Sequence, residues 1–182
     1  MDPTATSIPS PMGIIAPYDA RQIANRLLDL GARSNSPLTA LKLHKILYFC
    51  YGFFLIQRNE KLFHNNIEAW KYGPVVRVVW DQFKKEAREP ITERAIYFDF
   101  NSGKNTRASP ELSPEDEEIV ESVFEDCRHH AAWTLAKMTH EPGSGWHKIW
   151  YAPPGSVSLG GRIGDELIRA EFLERVRTAI RA

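Results

Sequence analysis

The chain has 182 residues, 43% hydrophobic and 25% charged, and its 23 Lys and Arg balance 23 Asp and Glu to a formal net charge of zero. That length and composition fit one globular domain, and the neutral balance excludes a uniformly basic nucleic-acid binder. Cys50 and Cys127 lie far apart among apolar neighbours without a CxxC spacing, so both read as reduced core thiols of a cytoplasmic protein. Residues 1–17 lack the basic and apolar regions of a signal peptide. The longest apolar run, Ile46–Ile56, is about half of the roughly 20 residues that span a bilayer, so no membrane partner is expected.

Residues 1–16, with Pro3, Pro9 and Pro11 among Ser and Thr, read as a flexible tail before a single domain over 17–182. Asp19 with Gln22 three residues on fits a helix cap, and Ile23, Leu27 and Leu30 make one apolar face that Gly31 is expected to end. After Pro37, Thr39 caps a second helix. From Leu41 to Ile56 apolar residues occupy nearly every face, which is the pattern of a central helix. Leu43, Ile46, Leu47, Tyr51 and Phe54 form its main stripe, and Phe49, Phe53 and Ile56 extend it. Each large side chain buried there stabilises the fold by roughly 1.5–3 kcal/mol.

Leu62-Phe63 and Ile67–Tyr72 predict short strands or the arms of a hairpin-like corner at Gly73-Pro74. Val76–Ala87 reads as a helix, Ile91–Phe100 as a loosely alternating strand, and Asn101–Pro110 as an exposed loop. Ser113-Pro114-Glu115-Asp116 carries a serine cap, a proline at the first helical position and acids where the helix dipole favours them. Ile119, Val120, Val123, Phe124 and Cys127 give that helix its apolar face. A helix over Ala131–Met138, a turn at Glu141–Gly145 and a return of Trp146, Ile149 and Trp150 to the core follow. Pro153–Gly161 reads as a loop and Asp165–Ile180 as the last helix, with Leu167, Ile168, Phe172, Leu173 and Val176 inward. The fold class is therefore mainly α: a compact multi-helix domain around a central apolar helix, with a small β hairpin.

Chemistry is sparse. The six histidines show no ligand spacing for a metal. Cys50 is flanked by Phe49 and Tyr51, a setting that suppresses the thiolate. Gly160–Gly164 precedes a helix and has the form of a phosphate cradle, but Asp165 and Glu166 oppose an anion there. No catalytic, cofactor or metal residue is assigned. Seven acids and no Lys or Arg lie between Glu115 and Asp126, either a solvated face or a docking surface for a basic partner. Lys71, Arg77, Lys84, Lys85 and Arg88 form a milder basic zone without a recognition-helix pattern, so nucleic acid is not an expected partner.

Four blocks carry a family resemblance. Leu43, Lys45 and Tyr48 lie in a Lys-x-x-Lys-Ile-Leu-Tyr helix. Glu68, Trp70, Tyr72, Gly73, Pro74 and Val75 make a Glu-Ala-Trp-x-Tyr-Gly-Pro-Val turn. Leu135, Met138, Thr139 and His140 precede Trp146 in a third block, and Ile163 to Phe172 closes the pattern. Together these residues resemble the Panacea (SocA-like) antitoxin domain family over most of residues 18–175. His44 departs from a common Gln, and Phe53-Phe54 from a common Trp-His pair. The resemblance implies a mostly helical fold with a small β element, no established catalytic residues or cofactor, and neutralisation of a cognate toxin by direct binding. It also implies, for some members, delivery of the toxin to a Clp-type protease, for which the tail 1–16 is the candidate tether. The corner at Trp70–Pro74 is assigned mainly to the fold. Partner contact is assigned to Lys71, Arg77, Trp80, Lys84, Glu118 and Glu121. A rival from another class is a small hydrolase or nucleic-acid enzyme using His140, Glu141 and His147.

Overall fold

The computed structural model describes residues 16–86, 88–109, 111–153 and 161–181. The tail expected over 1–16 falls outside them except for Ala16, as do residues 154–160 of the expected loop, including Gly160. Seven helices and two antiparallel strand pairs make up the described residues, a mainly α fold with minor β.

Helix α1 (Ala20–Arg33) begins as its sequence indicates. Asp19 Oδ1 accepts from the Arg21 backbone N–H at 2.9 Å, and Gln22 Oε1 accepts from Asp19 N–H at 2.9 Å. Gly31 does not end it. The helix runs on to Ser34, and Asn35 takes the left-handed φ of 50°. Gly31 instead lets the returning chain approach: a Cβ there would lie 2.8 Å from the Ser36 carbonyl oxygen.

Helix α2 (Ala40–Arg58) is capped by Thr39 and closed by Asn59 at φ 57°. Every residue from Leu43 to Gly52 is buried, and α1, α4 (Pro114–Arg128), α5 (Ala132–Thr139) and α7 (Asp165–Arg181) all pack on it. Phe172 of α7 sits edge-on to Tyr48, Phe49 and Phe53 at centroid separations of 5.6, 5.9 and 5.0 Å. Gly52 makes that approach possible, since a Cβ there would lie 2.2 Å from the Phe172 ring.

The corner is a hairpin. Strand β1 (Ile67–Trp70) pairs antiparallel with β2 (Gly73–Val76), Trp70 opposite Gly73, with Lys71-Tyr72 as the turn and Gly73 at φ 104°. The segment after residue 160 lines the other edge of β1, through Ala69 N–H to the Gly161 carbonyl and Ile163 N–H to the Ile67 carbonyl, both 2.8 Å. Leu62 and Phe63 are buried and pair with Tyr18 rather than extending the hairpin. The helix expected over Val76–Ala87 is the shorter α3 (Arg77–Phe83) with a 3₁₀ turn at Lys84–Glu86.

Strand β3 (Ile96–Asp99) is shorter than the expected 91–100, and it pairs with β4 (Lys104–Arg107) inside the segment expected to be a loop. All four β4 residues are exposed, so no apolar alternation marks the strand in the sequence. Buried Asn25 of α1 anchors the ribbon's base. Its amide donates to the Ala95 and Ala108 carbonyls at 2.9 and 2.8 Å and accepts from Ala95 N–H at 2.7 Å.

Helix α4 starts at Ser113 and Pro114 as expected, but its acids are not all solvated. Asp116 is buried and accepts from the Tyr18 hydroxyl at 2.7 Å. Burial, reinforced by that carboxylate, pushes the Tyr18 hydroxyl up to about 12. Helix α6 (Gly145–Trp150) returns Trp146 to the core, while Trp150 stays half outside, stacked on Trp146 at 5.5 Å. On α7, Ile168 and Phe172 are buried as expected, whereas Leu173 is exposed. Glu171 takes the inward position that an apolar count would not choose. It accepts from the Tyr48 hydroxyl at 2.6 Å, from Gly145 N–H at 2.7 Å and from Arg175 at 2.9 Å.

Two substitutions test this packing by urea denaturation. Gly52→Ala is expected to cost about 1–3 kcal/mol by overpacking against Phe172. Glu171→Ala strands three donors, one of them a cation, and is expected to cost about 3–5 kcal/mol. Values near zero for both would mean that α7 is not seated on α2 in this way.

Candidate functional site

The hairpin and α2 meet at a buried lysine. Lys45 has no exposed surface, and its Nζ donates to the Pro74 carbonyl at 3.0 Å. Among the described residues no carboxylate pairs with it. Burial therefore brings the ammonium down to about 7. Gly73 is needed here twice over. Its φ of 104° suits glycine, and a Cβ would lie 2.5 Å from Lys45 Nζ and 2.9 Å from Thr139 Oγ1. Lys45, Gly73, Pro74 and Thr139 of the motif thus pack as one unit.

Beside it, His44 Nδ1 accepts from the Val76 backbone N–H at 3.3 Å. Burial first, and the Lys45 charge second, lower His44 to about 3, so the ring is neutral. With Nδ1 an acceptor, the ring's single proton sits on Nε2, and Nε2 has no hydrogen-bond partner among the described residues.

Above this floor lies an aromatic-walled pocket of about 630 Å³. Trp70, Trp80, Tyr72 and Trp133 form its walls. Trp70 and Trp80 meet edge-on at 5.7 Å, and Tyr72 and Trp133 lie 6.0 Å apart. Tyr72 is 53% exposed and Trp133 55%. Glu68 braces the Trp70 side, accepting from its indole N–H at 2.8 Å and from Arg77 at 2.9 Å, while Arg77 lies over the Trp70 ring at 5.1 Å. On the far side, Trp146 donates its indole N–H to the Trp70 carbonyl at 2.8 Å and stacks on His140 at 3.8 Å.

The structure gathers some of the sequence candidates and separates others. Lys71 and Trp80 line the pocket and Arg77 flanks it, whereas Lys84 pairs with Asp81 at 3.2 Å outside its lining. Glu118 and Glu121 are elsewhere. Glu118 is exposed, and Glu121 shares Arg26 with Glu117. Asp116, on the turn before Glu118 and Glu121, lies 3.6 Å from Arg58 at the C-terminal end of α2, while the pocket sits over Leu41–Lys45. At 1.5 Å per residue the two ends of α2 are about 20–25 Å apart. Trp133 carries no motif, but a helical position two before buried Leu135 faces away from the core, which is a usable signal.

Each residue of the enzyme reading has a partner of its own. His140 is stacked on Trp146, Glu141 pairs with Arg175 at 3.1 Å, and His147 packs on Tyr151 at 4.8 Å. Among the described residues no three or more His, Cys, Asp and Glu gather as a metal site, and no helix is long and apolar enough to cross a membrane. Burial raises the Cys50 thiol well above its ordinary value and the Cys127 thiol to about 12.

Lys45 makes a prediction with a definite sign. Between pH 7 and about 10.5 the unfolded chain holds the Lys45 proton and the folded one does not, so this group makes stability rise with pH there. The unfolding free energy of the wild type, relative to Lys45→Met, should climb across that window by up to about 1.4 kcal/mol per pH unit. Parallel pH profiles in chemical denaturation would show that Lys45 keeps an ordinary affinity for its proton.

The model of the family described as "Antitoxin SocA-like, Panacea domain" matches residues 43–147, which hold Lys45, the hairpin and Trp146. Antitoxin SocA of Caulobacter vibrioides (strain NA1000 / CB15N) is 36% identical over 154 residues, covering 85% of this chain and 82% of that protein. No solved structure matches. The chain belongs to the SocA-like antitoxin family that is built on the Panacea domain.

Proposed function

We propose that this protein is the antitoxin of a toxin–antitoxin pair and that its folded domain neutralises the toxin by direct binding and occlusion. The observation that carries this reading is the exposed aromatic corner on the family motif. Tyr72 and Trp133 stay more than half exposed although the chain has an ample core beside them. Large aromatics grouped at a surface, with cations at the rim, are the composition of a protein-binding hot spot. Lys71, Arg77 and Trp80 form the primary contact, with Lys84 at its margin. Glu118 is a second contact at the other end of α2. Glu121 is committed to Arg26 and holds α4 to α1.

The test is co-expression with the product of the neighbouring gene, followed by size-exclusion chromatography. Rescue of growth and co-elution are expected. A harmless neighbour that does not bind would sink the reading. In calorimetry, Lys71→Glu and Trp80→Ala are each expected to weaken toxin binding at least tenfold while circular dichroism stays native. Charge reversal at Glu118 weakens binding where the toxin spans both ends of α2 and leaves it unchanged where the aromatic end alone is covered.

A further inference from the structure

The pocket between the hairpin, α3 and α5 has a one-sided charge. Its charged or ionisable nitrogen-bearing side chains are His44, Lys45, Lys71 and Arg88, and no carboxylate lines it. Glu68, which touches Trp70, is neutralised by Arg77. Lys71 and Arg88 are exposed at the rim. Lys45 lies buried in the same lining with no carboxylate partner among the described residues, and His44 lines the pocket with a fully covered Nε2–H that has no partner among them. A buried donor without an acceptor carries a desolvation cost that an incoming acceptor relieves. The walls are the opposite in character: four aromatic rings with Leu41 and Val75 between them. A ligand suited to both must be apolar in its body and anionic at its edge.

We infer that the pocket receives an acidic segment of the toxin, one that inserts a large apolar or aromatic side chain between the tryptophans while its flanking carboxylates pair with Lys71 and Arg88. This rests on the antitoxin reading for the identity of the partner and on the pocket's own charge for the chemistry of the segment. A basic segment would gain the apolar contact but would face Lys71 and Arg88 without compensation, and like charge brought together this way selects against it. Rim charges act mainly through association rate and salt dependence, whereas the anchor side chain acts through residence time.

The test uses the full chain and a random twelve-residue peptide library displayed on phage. The selected peptides are expected to pair an aromatic or large apolar residue with two or more acids. Their affinity should fall about tenfold or more for the double variant Lys71→Glu/Arg88→Glu, fall with added salt, and stay unchanged for Lys104→Glu on the remote β4. Both rim residues are exposed and Lys71 makes only a surface contact with Tyr72, so the double variant is expected to fold. Selected peptides without acidic bias, or equal binding by the double variant, would overturn the inference. Growth rescue is scored separately. Rescue by the wild type without acidic peptide selection removes the pocket chemistry and leaves the antitoxin reading standing. Acidic peptide selection without rescue does the reverse.

Discussion

A helix with no polar face must be covered on every side, and α2 imposes that condition on the whole chain. Its buried residues run without a break from Leu43 to Gly52. Four helices and strand β2 supply the cover. The elements that are amphipathic, α1 and α4, lie against it with one face each. The elements that are too short to be stable alone, α5 and α6, exist because they close the remaining gaps.

Apolar cover does not by itself choose one arrangement, because hydrophobic burial has no direction. Direction comes from a few buried polar pins. Asn25 holds the base of the β3–β4 ribbon through three hydrogen bonds, Asp116 fixes α4 to Tyr18, and Glu171 joins α2, α6 and α7. Each is costly to misplace, since a buried polar group without its partner loses roughly 1–3 kcal/mol, and more if charged. Lys45 differs from the others. It has a carbonyl for a partner and, among the described residues, no carboxylate, and burial lowers its hold on the proton.

The hairpin corner therefore has two kinds of residue in one short motif. Gly73 and Pro74 are packing residues, held against Lys45 and Thr139 with no room for a side chain at Gly73. Tyr72 belongs to the surface, and Trp70 stands between, one side braced by Glu68 and Arg77 and the other joined to Trp146. A motif of this kind links fold to recognition. The rigid pieces that seat the hairpin are what hold the aromatic walls in place, so ordering those side chains on binding costs less entropy than it would on a loose loop.

The sequence by itself determined the central helix, the caps at Asp19, Thr39 and Ser113 and the family, because these depend on local periodicity, local hydrogen bonding and short motifs; it indicated a hairpin corner but placed its turn at Gly73-Pro74, which lie in strand β2, rather than at Lys71-Tyr72. It did not determine strand β4, whose exposed residues carry no pattern, nor the role of Gly31, which answers a neighbour five residues away. Only the tertiary structure decided that Asp116, Glu171 and Lys45 would be buried, since each needs a partner from a distant segment before burial is tolerable. Only the tertiary structure brought Trp133 across to Tyr72 and laid α4 along α2, with Asp116 beside Arg58 at one end and Arg128 beside Lys42 at the other. A docking surface is a set of residues that share a face, and residues from four elements share one only after the helices between them have packed.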